Sequence, residues 1–362
     1  MAARNPFPIL DGHNDTLSRL SSLEAAETGG GRNFLIESKL GHLDLPRAKR
    51  GGFAGGFFAI FAPDPRQAQL MQENLVIGEN GYEVYPFPVL DQLYAQQVTL
   101  DVMAHLFHLE AESEGQIKVV RTVAEIIDCL RQGIMAIILH FEGAEAIDPH
   151  PQLDALYDFY QMGLRSLGIV WSRPNAFGHG VPFKFPASPD TGPGLTSLGC
   201  ELVRACNRLG IMLDLAHLNE QGFRDVARLS EAPLIVTHAA VHALCPSTRN
   251  LTDYQLDTIK ASQGLVGLNF DVADLRPDAN IDPDTPLDLI VRHIDYLVEH
   301  LDIEGVGFGS DFDDGTTMPE ALKDAAGLPE LVAALREHGY DDAALRKLTH
   351  ENWLRVLSKT WH

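Results

Sequence analysis

Eight continuous apolar runs recur along this chain with amphipathic stretches between them, and that alternation restricts the fold most. The runs are PFPILDGH, GGFAGGFFAIFAP, GIMAIILHFEG, LRSLGIVWS, GIMLDLAHL, APLIVTHAA, GLVGLNFDV and EGVGFGSDF. Most lack the in–out alternation of a half-exposed strand, as strands buried on both faces should. Between them LDALYDFYQMG, LTSLGCELVRACNRLG, NEQGFRDVARLS, LTDYQLDTIKASQG and LDLIVRHIDYLVEHL carry a helical period. Gly163, Gly210 and Gly264 stand where these helices should stop, each read as a residue able to take positive φ. The pattern predicts an α/β fold, a distorted (β/α)8 barrel of the TIM type. A doubly wound open sheet is the competing layout.

At 362 residues and 45% hydrophobic content, the chain fits one barrel domain over 1–362 with insertions. Residues 23–50 are polar with a Gly cluster. Residues 64–133 read as a helical insertion in which QIKVV forms an extra short strand. Residues 173–194, dense in Pro, Gly and Phe, read as an ordered loop over the active face. PELVAALREHG and DAALRKLTHENWLRVLSKTW should form two closing helices. A net charge of −22 argues against a nucleic-acid partner. There is no signal-like leader and no apolar run long enough for a bilayer, so no membrane partner is expected. Cys129, Cys200, Cys206 and Cys245 sit singly, which fits reduced thiols and a cytoplasmic location.

Five of the runs end in ionisable side chains: His13 and Asp15, Glu142, His217, His238, and Asp311. Such groups at the ends of buried strands are costly unless paired or metal-bound. A closed ring of strands would gather all five endings around one mouth, which an open sheet explains less well. Residues two apart on a strand share a side, so His13 and Asp15 form a compact chelate. Glu142 can bridge two metals, and His217 and His238 supply imidazoles from adjacent strands. The set suits Zn²⁺; Mn²⁺, Co²⁺ and Fe²⁺ accept the same donors. Two such ions about 3.5–4 Å apart activate a water and polarise a carbonyl. Asp311 is placed to take that water's proton and pass it to a leaving amine, which points to metal-assisted amide hydrolysis. Arg249 in CPSTRNLTD is a candidate clamp for a substrate carboxylate.

Other residues imitate these. His42 and Asp44 repeat the His-x-Asp spacing, but they precede the second strand and should lie at the opposite face. His140 shares a strand side with Glu142 and reads as a packed barrel residue. His242 follows His238 by four residues and reads as a surface or supporting group. His179, in the Pro/Gly loop, is within range of a substrate.

The segments DGHNDT, HLDLPRAKRGGFAGGFFAIF, HFEGAEAI, GLRSLGIVWS, GIMLDLAHLNEQGF, APLIVTHAAVHAL, STRNLTD, GVGFGSDFDD and ENWLRV follow one another along nearly the whole chain. Together they resemble the membrane dipeptidase (renal dipeptidase) family of zinc peptidases, within the amidohydrolase-like barrels. The resemblance implies two zinc ions per chain. His13 and Asp15 would bind one, His217 and His238 the other, and Glu142 would bridge them. It implies that Arg249 holds the dipeptide's C-terminal carboxylate and that Asp311 handles protons and contacts the substrate amine. Where family members carry a histidine facing the scissile carbonyl, this chain has Trp171, which shifts oxyanion stabilisation to zinc, Arg173 or His179. Ala239 and His242 stand where members often have Ser and Arg. The expected activity is hydrolysis of small dipeptides, L-D dipeptides among them, and the resemblance makes a homodimer plausible. A related amidase or lactonase using the same metals, and a non-catalytic binding protein with a degenerate site, are the rival readings.

Overall fold

Every apolar run becomes a strand in the computed structural model, which describes residues 7–21, 32–79 and 81–361. Twelve strands form among these residues: β1 (Ile9–Asn14), β2 (Phe53–Ile60), β3 (Leu75–Gly78), β4 (Gly81–Val84), β5 (Ile117–Val120), β6 (Met135–Glu142), β7 (Ser166–Gly168), β8 (Lys184–Phe185), β9 (Met212–Asp214), β10 (Ile235–Ala239), β11 (Leu265–Leu268) and β12 (Val306–Phe308). Eight of them close a ring in the order β1, β2, β6, β7, β9, β10, β11, β12, with β12 returning to β1. Every pairing in the ring is parallel. All eight residues of β6 are buried, as its unbroken apolar composition requires. The (β/α)8 barrel is therefore the architecture.

Departures from the simple repeat lie where composition shifts. QIKVV does form a strand: β5 pairs with the first half of β6, and β7 with the second half. The 64–133 region is less helical than its sequence suggests. Helices Gln67–Asn74, Gln92–Glu112 and Val123–Gln132 are present, but the β3–β4 hairpin interrupts them. β8, inside the Pro/Gly loop, adds to β4 and ties that loop to the hairpin. The Gly cluster of the 23–50 stretch, up to residue 31, lies outside the described residues.

Helix ends follow local chemistry. Thr196 and Asn219 cap the helices Ser197–Leu209 and Glu220–Leu229 by accepting from Gly199 N and Gly222 N. Gly163 and Gly210 stop their helices at φ +122° and +67°. Gly264 does not: the left-handed residue is Gln263, at φ +57°. What position 264 requires is space, because a Cβ there would lie 2.0 Å from Leu234 O.

Of the two closing helices, the second is interrupted by a π-turn at Lys347–Glu351 before Asn352–Thr360. Asn352 donates to Ile303 O and Val306 O, fixing this helix at the end where the strands begin. From it the fully buried Trp353 reaches inward and donates Nε1 to Phe308 O at 3.2 Å. The opposite ends of the strands carry the ionisable residues.

Candidate functional site

Five strand ends bring their side chains to one point. His13 Nε2 lies 3.2 Å from Asp15 Oδ2, 3.7 Å from Glu142 Oε1 and 4.0 Å from Asp311 Oδ1. His217 Nε2 and His238 Nε2 stand 2.9 and 3.7 Å from the same Glu142 oxygen, and 3.1 Å from each other. Glu142 thus belongs to two donor sets, one with His217 and His238 and one with His13 and Asp15, each gathered within 4.8 Å. A third set joins His13, His238 and Asp214. His217 and Asp311 reach their places through left-handed backbone at φ +63° and +60°. Non-glycine residues rarely adopt it, and it is retained where surrounding structure enforces it.

Neighbouring hydroxyls orient two of the rings. Ser172 Oγ lies 2.8 Å from His217 Nδ1, and Thr237 Oγ1 lies 2.9 Å from His238 Nδ1 while donating to Asp214 Oδ2. Each imidazole is thereby pinned at Nδ1, and its Nε2 faces Glu142. Supports of this type set tautomer and ring angle at metal centres.

Burial dominates the electrostatics. It pushes His13 down to about 3, with Asp214 opposing and Arg249 adding to the shift. Burial also holds His217 and His238 well below the ordinary imidazole range, so all three rings are neutral donors. The carboxylates move the other way. Asp15 rises to about 7 through burial, against the pull of Arg19. Glu142 and Asp311 are driven well above the usual carboxylate range by burial and by repulsion from Asp15 and Asp314, with Arg249 opposing. Charge crowded in this way is relieved by cations. Glu142 Oε2 and His13 Nδ1 are buried without a hydrogen-bond partner among the described residues. For a carboxylate oxygen among neutral imidazoles, metal ligation accounts for that. The donor set fits divalent metal.

The other candidate residues separate by position. Arg249 is buried beside the cluster and donates Nη2 to His238 O at 3.3 Å. Trp171 is nearly buried, its ring 6.0 Å from that of His217 and packed among Phe61, Phe87 and Phe183. Arg173 is committed through two of its three guanidinium nitrogens. It is fully buried, with Nε on Glu145 Oε1 at 2.9 Å and Nη2 on Ala62 O at 2.6 Å. His179 is tied through Nδ1 to Gly194 O. His140 is sealed in the barrel, bonded to Ser166 and 3.6 Å from Asp214. His242 reaches Ala187 O from a loop, and Ala239 ends β10 fully buried.

His42 and Asp44 are not at the opposite face. His42 accepts from Asp313 N, and Asp44 caps the helix Leu45–Gly51 and binds Arg47, which reaches Asp324. The reason is direction: a helix leading into a strand starts at the far rim, so its N-cap sits beside the loop that follows β12. Sequence reasoning missed Ser172, Thr237, Asp214 and Asn269. Only Asp214, in the apolar MLDLAH, left a visible signal.

Comparison with known proteins agrees with this geometry. The profile of the membrane dipeptidase family (peptidase family M19) matches residues 2–361. A metallo peptidase from Rhodobacter sphaeroides, in a crystal structure liganded with a phosphinate mimic of the dipeptide L-Ala-D-Ala, is 50% identical with a TM-score of 0.91, covering 99% of this chain and 100% of its own. Dipeptidase AC, a metallo peptidase of family M19, is also 50% identical, with a TM-score of 0.90 and 99% of each chain covered. An uncharacterized protein from the pqqA 5′ region of Klebsiella pneumoniae is 47% identical over 259 residues, 72% of this chain and 94% of its own length.

Proposed function

Because the chain belongs to the membrane dipeptidase family, peptidase family M19, we propose that it hydrolyses small dipeptides with free termini at a site holding two zinc ions. The observation that carries this reading is the sharing of Glu142 between two donor sets, His13 with Asp15 and His217 with His238. A carboxylate with two oxygens, one of them without a hydrogen-bond partner among the described residues, is suited to join two ions. When bound, the metal ions supply Lewis acidity, acidifying water and polarising the scissile carbonyl.

The chain's own residues supply the rest. Arg249 holds the substrate's carboxylate in a two-pronged hydrogen bond, since only one bond to its guanidinium, that to His238 O, forms among the described residues. The carboxylates of Asp15, Asp311 and the accessible Asp314 make the other side attractive to an ammonium group. Asp311 receives the proton of the attacking water and returns it to the leaving amine. Trp171 contributes an apolar wall on the His217 side. L-D dipeptides are candidates, because the Rhodobacter sphaeroides relative takes an L-Ala-D-Ala mimic.

We read residues 1–362 as one domain working in the cytoplasm, consistent with four free cysteines. Among the described residues no helix is long and apolar enough to cross a membrane.

Metal analysis of purified enzyme should return about two ions per chain. Glu142→Ala should abolish both metal retention and hydrolysis of L-L and L-D dipeptides; a fully active, metal-loaded variant would exclude the bridge. A panel of simple lactones run in parallel tests the lactonase alternative.

A further inference from the structure

Asn269 stands one residue past β11, 1% exposed, on the rim that carries the cluster. Its amide is committed at both ends. Oδ1 accepts from Asp271 N at 2.8 Å, while Nδ2 donates to Asp311 Oδ2 at 3.0 Å and to Asp274 Oδ2 at 3.3 Å. A backbone donor on one side and two carboxylates on the other leave no ambiguity about which atom is nitrogen.

Asp311 is held elsewhere as well. Its N donates to His13 O at 3.0 Å, its carbonyl accepts from Thr316 Oγ1 at 2.9 Å, and its φ is +60°. With the backbone fixed, the side chain still turns about Cα–Cβ and the carboxylate about its last bond. That rotation is broad for Asp when nothing restrains it. The bond to Oδ2 removes it and leaves Oδ1 turned inward, 4.0 Å from His13 Nε2.

We propose that Asn269 is a positioning residue, anchoring one oxygen of Asp311 so that the other stays aimed at the reacting groups. The proposal rests on the reading of Asp311 as the proton-handling residue. The same Nδ2 group also donates to Asp274, so Asn269 lends one N–H to each of two carboxylates. Proton transfer depends on donor–acceptor placement, and a misplacement of about 1 Å can cost about 100-fold in rate.

Steady-state kinetics on metal-loaded Asn269→Ala and on the near-isosteric Asn269→Asp test this. Both should lose about 10–100-fold in kcat, with KM for the same dipeptide and metal content per chain unchanged. Asn269→Asp keeps the volume while replacing the amide donor, so it remains informative if the alanine variant folds poorly. In an Asp311→Asn background, adding Asn269→Ala should cost nothing further, because the anchored group is already gone. Unchanged kcat in both single variants would overturn the proposal. So would loss of metal in step with kcat, or losses that multiply in the double variant. An Asp311→Asn enzyme with full kcat would instead remove the reading of Asp311 itself, a result separable from all of these.

Discussion

Arg249 places a guanidinium beside buried carboxylates while spending one guanidinium bond, to His238 O, among the described residues. Its charge pulls Glu142 and Asp311 back toward ionisation and pushes the imidazoles toward neutrality. A fixed positive group of that type is suited to a substrate carboxylate, as proposed above, and lysine, a point charge, would not reproduce the two-pronged geometry. Arg249→Ala should therefore raise KM for dipeptides with a free C-terminus by about 10–100-fold, at roughly 1.4 kcal/mol per tenfold, with a smaller effect on kcat. A C-terminally amidated analogue should be nearly indifferent to the change. Equal losses on both substrates would show that the arginine serves only the electrostatics of the cluster. Arg173, by contrast, already gives Nε to Glu145 and Nη2 to Ala62 O.

The helix Leu287–Leu301 shows an element joined to the barrel by polar as well as apolar contacts. Its buried stripe of Ile290, Val291, Ile294 and Leu297 includes His293, which accepts from Val241 N at Nδ1 and donates to Leu275 O at Nε2. Both roles require the neutral ring, and burial lowers its pKa from 6.5 to about 4. The unfolded chain binds this proton first, so the contribution is complete above about pH 6.5 and is lost as pH falls to about 4. That difference corresponds to about 3 kcal/mol. Denaturant titrations from pH 7 to 4 should show a shallower fall for His293→Gln than for the unaltered chain; parallel curves would contradict the assignment. The element was legible in LDLIVRHIDYLVEHL, because burial of one face leaves a 3.6-residue period. The strand ends carrying His13, Glu142 and His238 were legible for a similar reason, polar residues interrupting apolar runs. The β3–β4 hairpin was not: Leu75, Val76 and Ile77 are all exposed, so its apolar residues report no buried face. Asn269, Ser172 and Thr237 were equally silent, because small polar residues at strand ends acquire meaning only from partners brought in by the ring.

Closure of the whole molecule depends on its last helix meeting its first strand. Trp353 lies against Gly12 of β1, Gly267 of β11 and Gly307 of β12, where a Cβ would come within 2.5, 3.1 and 2.8 Å of the indole. Three strands thus omit side chains at the place where the C-terminal helix inserts one, and Phe57 packs on the same ring with centroids 5.0 Å apart. Nothing in the sequence links those three glycines; their common purpose appears once residues 12 and 353 are neighbours. Trp353→Ala would empty this space and strip Phe308 O of its donor, at a cost of about 3–5 kcal/mol. Trp353→Phe should cost less, since it keeps most of the volume while losing the N–H. Because Gly12 adjoins His13, a relaxed floor should also disturb the metal-facing rim. The expected outcome for Trp353→Ala is a lower denaturant midpoint accompanied by weaker metal retention at pH 7, both largely restored in Trp353→Phe. A variant that loses stability yet keeps its metal as tightly as before would show that floor and rim are mechanically independent.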